Sequence, residues 1–135
     1  MVGGLSFWRG LAPYFLSLLR LIAGLLLLEF GTMKILHFPY AEMFANVPLT
    51  SMYGVAGVLE LVGGALVAVG LFTRCAAFVL SGEMAFAYFI EHAPQGFYPA
   101  LNHGLPAVLF CFVFLYLSAA GGGPLSFDRI IRRAS

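Results

Sequence analysis

The sequence predicts an all-α integral membrane protein, a four-helix bundle that crosses the bilayer. Of its 135 residues, 61% are hydrophobic and 10% are charged, whereas a soluble domain is roughly 45–50% apolar and about 25% charged. A chain this short leaves much of its surface exposed, so a water-soluble fold could not bury so many apolar side chains. The apolar stretches are also continuous, without the alternation of β-barrel strands. These observations exclude a soluble enzyme and a disordered chain.

Four apolar stretches define the predicted helices within a single domain, residues 1–135. They are residues 11–36, 51–72, 75–90 and 102–120. A helix needs about 20 residues to span the hydrocarbon, so the third stretch is short and depends on Arg74 and Glu91 extending outward at its ends. Helix-breaking residues separate the stretches: Pro39, Pro48, Pro94, Pro99 and the Gly121–Pro124 run.

The positive charges predict the orientation of these spans. One side is expected to carry Arg9, Arg74, Arg129, Arg132 and Arg133. Lys34 is the one basic residue expected on the other side, so the positive-inside rule places both termini in the cytoplasm. The net charge of +1 is far from the basic footprint of a nucleic-acid-binding protein, so no nucleic-acid partner is expected.

Four ionisable residues fall well inside the predicted spans, Glu29 and three that reach a common depth: Arg20, Glu60 and Glu83. Counted from the cytoplasmic boundary at 1.5 Å per residue, all three lie roughly 13–18 Å deep. Charges inside lipid usually face the bundle interior and pair with one another, so Arg20 is expected to form an ion pair with Glu60, Glu83 or both. Two interpretations remain open, a structural ion network and a proton relay or ligand site.

Small residues accompany these charges at helical spacing. In the second span the stripe is Gly54, Gly57, Glu60, Gly64 and Ala68, and in the first it is Arg20, Gly24 and Gly31. Such stripes allow close helix approach. Glu29 lies half a turn away from Arg20, so it should meet a neighbouring helix, a partner subunit or lipid headgroups. This predicts a homo-oligomer or a subunit of a larger membrane complex.

A second polar set is predicted at the outer ends of the spans. Lys34, His37, Asn102 and His103 are candidates for a head-group or substrate site, and the alternative is an ordinary hydrated loop. Histidine titrates near neutral pH and could exchange protons with the outside. No metal site and no intrinsic cofactor are predicted, because the histidines all fall at outer ends and Cys75 and Cys111 form no close pair.

Several motifs together carry a family resemblance. They are Arg20…Gly24…Gly31-x-x-Lys34, Glu60-x-x-Gly63-Gly64, Gly70-Leu71-x-Thr73-Arg74, Asn102-x-Gly104 and Gly121-x-Gly123-Pro124-x-Ser126-x-Asp128. Across nearly the whole chain this pattern resembles the DoxX family of small four-helix bacterial membrane proteins. The resemblance implies a multi-pass protein of the bacterial inner membrane with a link to redox metabolism. Relatives are named for a thiosulfate:quinone oxidoreductase subunit, and others are tied to membrane oxidoreductase complexes and oxidative-stress defence.

The leading functional hypothesis is a quinone-facing or proton-handling subunit of a membrane oxidoreductase. Arg20, Glu60 and Glu83 would conduct protons, and the outer polar set would bind a quinone head group. A redox partner subunit would supply the electrons, so whether the chain is itself an enzyme stays open. The alternative is a non-catalytic accessory or scaffold subunit, and a small-solute transporter ranks last because no internal repeat is evident.

Overall fold

The computed structural model describes residues 2–134, and this part of the chain is all-helical, as predicted. The five α-helices are α1 (Val2–Ile35), α2 (Met52–Val69), α3 (Thr73–Ala87), α4 (Leu105–Ala120) and α5 (Phe127–Ala134). Short helical turns occupy Glu42–Phe44 and Ala93–Gln95, and a π-helix over Tyr88–His92 continues α3. The first helix therefore begins well before the predicted position 11, and the third predicted stretch changes geometry at Tyr88.

Two of these helices are long and apolar enough to cross a membrane, Gly3–Ile35 and Met52–Val69, and α4 is a shorter apolar helix. Large apolar side chains remain exposed along all four long helices. A surface with so many contiguous apolar side chains fits contact with lipid chains rather than with water.

α1 and α2 pack against each other in antiparallel order through the predicted small residues. A methyl group built on Gly24 would stand 2.5 Å from the backbone nitrogen of Ala68. One built on Gly64 would stand 2.7 Å from the backbone nitrogen of Leu28. The two backbones approach so closely only because these positions have no side chain.

α3 and α4 form the second antiparallel pair. The Ser81 hydroxyl on α3 donates a hydrogen bond of 2.7 Å to the carbonyl oxygen of Cys111 on α4. Between the two pairs lies a buried apolar core: Ala23, Leu27, Val67, Ala76, Ala77, Leu80, Met84, Phe114 and Leu117. The α1–α2 and α3–α4 contacts are much more extensive than those between α2 and α3 or between α1 and α4.

The two ends of the helices differ in structure. We call the end formed by residues 70–73 and 121–128 the turn end, and the end formed by residues 36–51 and 88–104 the loop end. At the turn end, Gly70 adopts a left-handed conformation with φ of 76° and closes α2. The carboxylate of Asp128 accepts hydrogen bonds from the backbone N–H groups of Phe72 (2.7 Å) and Thr73 (2.9 Å). Asp128 therefore caps α3 from a distant part of the sequence.

We expect Asp128→Asn to destabilise the turn end by about 1 kcal/mol, because the amide keeps one accepting oxygen for two N–H donors and loses the charge that strengthens both hydrogen bonds. Partial burial of Asp128 acts to raise its pKa, but hydrogen bonds from Thr73 and Phe72 outweigh it, so the pKa is lowered. The stabilisation is therefore present at neutral pH, above the unfolded-state pKa of roughly 3.9. It is lost as the pH falls through the lower folded-state value.

Thermal unfolding of the detergent-solubilised protein between pH 3 and pH 7 measures this effect. The gap in midpoint between the parent and Asp128→Asn should narrow towards the acid end. A gap that is constant across the whole pH range would contradict the capping role of the carboxylate.

Candidate functional site

A cavity of about 970 Å³ lies between the two helix pairs, towards the loop end. Its walls are mainly apolar, with Leu27, Phe44, Met84 and Phe110 among them. The ionisable and polar side chains that line it include Lys34, Tyr53, Glu60, Glu83, Glu91, His92, Gln95 and His103. Apolar pockets with a few convergent polar groups are the usual form of small-molecule sites in proteins.

An ion pair between Lys34 and Glu60 lies on the wall of this cavity. The Lys34 ammonium nitrogen is 2.8 Å from one Glu60 carboxylate oxygen and 2.9 Å from the other. Glu60 is only 2% exposed, so its carboxylate is almost wholly buried in the protein. The same ammonium nitrogen stands 5.4 Å from the ring centroid of Phe44, where a cation–π contact adds to its stabilisation.

Local helix geometry brings Lys34 to Glu60. Side chains on an α-helix lean towards its N-terminus, so Lys34 in the last turn of α1 extends back into the protein instead of outward. Gly57 on α2 makes room for it, since a methyl group there would stand 2.9 Å from the Lys34 β-carbon.

Glu83 on α3 completes the charged cluster. Both of its carboxyl oxygens are buried, and no N–H group, hydroxyl group or ammonium group donates a hydrogen bond to them within the part of the chain that the structure describes. The Glu60 carboxyl group is close enough to interact with it electrostatically, and so is the Lys34 ammonium group. Two carboxyl groups thus share one ammonium group, and a single proton is enough to neutralise the cluster.

The predicted ion pair between Arg20 and Glu60 or Glu83 is wrong. Arg20 is buried, but its guanidinium donates a 3.0 Å hydrogen bond to the carbonyl oxygen of Leu125 at the turn end. The carboxylate that acts on it electrostatically is Asp128. Because α1 leans its side chains towards its N-terminus, Arg20 extends to the turn end and away from the cavity. Lys34 takes the place that was predicted for Arg20.

Only two of the four residues predicted for the outer site line the cavity. Lys34 and His103 both line the cavity. Asn102 is buried instead within the α3–α4 connection, where its side chain donates to the Gly96 carbonyl oxygen (2.7 Å) and accepts from the Gly104 N–H (2.9 Å). His37 follows α1 with a φ of 58° and is not among the residues that line the cavity.

Glu29 is exposed on α1, on the face opposite the buried Arg20, as its half-turn offset predicts. Its backbone carbonyl oxygen accepts a hydrogen bond from the Thr32 hydroxyl. No hydrogen bond or ion pair of its carboxylate is found among residues 2–134. That a partner subunit meets this carboxylate stays a prediction.

A polar contact at the rim of the cavity was not predicted from the sequence. The Tyr53 hydroxyl, in the first turn of α2, donates a hydrogen bond to the Glu91 carboxylate in the π-helix. Because a short turn joins α2 and α3 into a tight hairpin, the start of α2 lies opposite the end of α3. The shortness of that turn in the sequence could have predicted that Tyr53 and Glu91 lie close together. Next to Glu91, the ring nitrogen Nδ1 of His92 is 2.9 Å from the Asn102 carbonyl oxygen.

These features define a helical membrane protein with a charged cluster on the wall of a cavity between its two helix pairs. The DoxX family model matches residues 15–93, and the chain belongs to the DoxX family. An uncharacterised protein of Haemophilus influenzae is 44% identical over 120 residues, which cover 86% of this chain and 90% of that relative. No solved structure matches the chain.

Proposed function

We propose that this chain is a quinone-binding, proton-handling subunit of an oxidoreductase system in the bacterial inner membrane. The observation that carries the proposal is the Lys34–Glu60–Glu83 cluster on the wall of a largely apolar cavity of about 970 Å³. Cavities of roughly 300–1,000 Å³ accommodate small ligands and cofactors. The chain supplies the binding site and protons, and a redox partner subunit supplies the electrons.

We also propose that the four long helices form a membrane-spanning bundle with both termini in the cytoplasm. Arg74 and α5 lie together at the turn end, where Arg74 donates to the Ala119 carbonyl oxygen. Near the loop end the basic residue is Lys34, and the Lys34 ammonium group points into the protein, towards Glu60. This distribution of Arg and Lys supports a cytoplasmic turn end by the positive-inside rule.

The cluster has the hydrogen-bonding capacity that quinone chemistry requires. The Lys34 ammonium group and a protonated Glu83 are donors for a quinone carbonyl oxygen. Reduction of a quinone to a quinol consumes two electrons and two protons, so each oxygen gains one proton as the electrons arrive. Glu83 gives its proton to one oxygen, and the polar groups at the loop end, which include His103, return a proton to Glu83 and conduct the second proton to the other oxygen.

The donor role of Glu83 predicts different outcomes for two substitutions. Glu83→Leu removes the donor and should weaken binding of a short-chain ubiquinone about tenfold, close to the net value of one hydrogen bond. Glu83→Gln keeps an N–H donor and should stay within about threefold of the parent. Quenching of intrinsic fluorescence by the quinone, in protein reconstituted into nanodiscs, measures both affinities. Equal affinities for the parent and both variants would contradict a quinone site at Glu83.

A scaffold role is the second candidate, and the exposed Glu29 carboxylate is the observation that favours it. A carboxylate on an otherwise apolar helix face is costly in lipid unless a partner or the headgroups receive it. We expect Glu29→Leu to release a smaller species from the assembly seen by native mass spectrometry in mild detergent. Glu42→Leu, on the connection between α1 and α2, serves as the control. An unchanged assembly in Glu29→Leu would remove the support for this role.

A further inference from the structure

Two rows of residues line the cavity and are also exposed on the outer surface of the protein. On α2 they are Met52, Val55 and Leu59, and on α3 they are Val79, Gly82 and Phe86. Each row follows the three- and four-residue spacing of a single helix face. A residue that faces both a cavity and the surroundings marks an opening, so the cavity opens sideways between α2 and α3.

We propose that the cavity is loaded from the bilayer through this gap, which we call the α2–α3 portal. Its ligand is a lipid-dissolved molecule whose apolar tail occupies the portal while its polar head contacts Glu60 and Glu83. The identity of the head group as a quinone rests on the function proposed above, but the route through the portal does not.

The packing of the two helices produces the portal. α2 and α3 are joined by a tight turn and approach closely at Gly63, where a methyl group would stand 2.9 Å from a Leu80 side-chain carbon. Nearer the loop end, the exposed rows of both helices line the cavity instead of being buried against each other. The hydrogen bond from Tyr53 to Glu91 then joins the two helices at the outer rim.

The chemistry of the portal favours access from lipid over access from water. Its two rows are wholly apolar, so an apolar tail can lie there without exposing any polar group to lipid. The rim nearest the loop end instead carries the Tyr53–Glu91 bond and His92. A second apolar groove of about 330 Å³ lies between α1 and α4 and shares Pro106 and Phe110 with the cavity. This groove is an alternative route by which a ligand could enter the cavity from the bilayer, and an experiment can distinguish it from the portal.

Gly82 offers a way to block the portal without disturbing the packing. A methyl group built on Gly82 meets no atom within 4 Å, and the same holds for Gly10 on α1. Leucine is also a better helix former than glycine. Gly82→Leu should therefore fold and fill the portal, and Gly10→Leu is its matched control far from the cavity. Val55→Phe narrows the portal from the opposite side, should Gly82→Leu fail to fold.

The test uses a fluorescent reporter inside the cavity. Trp8→Phe removes the single tryptophan, and Phe44→Trp places a reporter at a buried position on the cavity wall. In nanodiscs of phosphatidylcholine with brominated acyl chains, we expect strong quenching by the lipid chains. Quenching should fall severalfold in Gly82→Leu and in Val55→Phe, and stay unchanged in Gly10→Leu. Aqueous iodide should quench weakly in all of them.

Two outcomes would overturn the portal. One is equal quenching by brominated chains in the parent, Gly82→Leu and Val55→Phe, with strong quenching by iodide, which would mean loading from water. The other is a loss of quenching in Leu109→Phe, which fills the α1–α4 groove, with no loss in Gly82→Leu. Quenching by brominated chains that falls when the portal is blocked supports the portal, whatever the ligand is. If a short-chain ubiquinone then failed to quench the same reporter, that failure would refute the quinone proposal and leave the portal standing.

Discussion

Lys34→Met should lose about 3–5 kcal/mol of folding stability, the usual cost of removing one partner from a buried ion pair. The Glu60 carboxylate would then remain 2% exposed without the ammonium group that lies 2.8 Å from it. The loss would be measured by unfolding in mixed micelles of increasing SDS fraction.

The double variant Lys34→Met/Glu60→Met tests the cause of that loss. Replacing both members by apolar side chains leaves no buried charge in the pair, so most of the lost stability should return. The matched control is Lys34→Met combined with Glu29→Gln, because Glu29 is exposed and lies outside the cluster. A double variant as unstable as Lys34→Met would show that the ion pair is not what stabilises this region.

Gly64→Val should prevent normal packing of α1 against α2. The added β-carbon would meet the Leu28 backbone nitrogen at 2.7 Å and its α-carbon at 2.9 Å. Backbone atoms cannot rotate aside, so the helices must separate, and the cost should reach at least the upper part of the roughly 1–3 kcal/mol range for overpacking.

Gly82→Val is the matched control for this substitution, since Gly82 lies in a helix but faces open space. The yield of monodisperse protein and the SDS unfolding midpoint give the comparison. If Gly64→Val and Gly82→Val behaved alike, close approach at Gly64 would not be what holds the two helices together.

Composition and helical spacing were enough to predict most of the helices and the faces they bury. The stripe of Gly54, Gly57, Glu60 and Gly64 is buried as a unit because small residues at that spacing are favourable only at a helix contact. The π-helix at Tyr88–His92 could not be predicted, since it depends on how the end of α3 meets the α3–α4 connection.

The charged site was predicted only in part, and one geometric rule explains the error. Depth was counted along the helix axis, with each side chain placed level with its own α-carbon. On α1, however, both long cationic side chains lean towards the N-terminus. This moves Arg20 out to the turn end and brings Lys34 in to Glu60. Glu60 and Glu83 carry shorter side chains, so the predicted proximity of these two agrees with the structure.

The cavity itself had no signature in the sequence. It forms because α1–α2 and α3–α4 each pack tightly, while contacts between the pairs are sparse. Side chains such as Tyr53 and Glu91 meet only through that arrangement. Asn102 illustrates the opposite case, a polar residue that was predicted to bind ligand but whose side chain is hydrogen-bonded within its own loop.

The central claim is that Glu83 holds a proton against the ligand cavity, beside the Lys34–Glu60 ion pair. Infrared difference spectroscopy on quinone addition to the reconstituted protein tests it most directly. We predict a shift in the carbonyl stretch of a protonated carboxylic acid, present in the parent and in Glu29→Gln and absent in Glu83→Gln. A spectrum without that band in the parent, or with the band intact in Glu83→Gln, would contradict the claim.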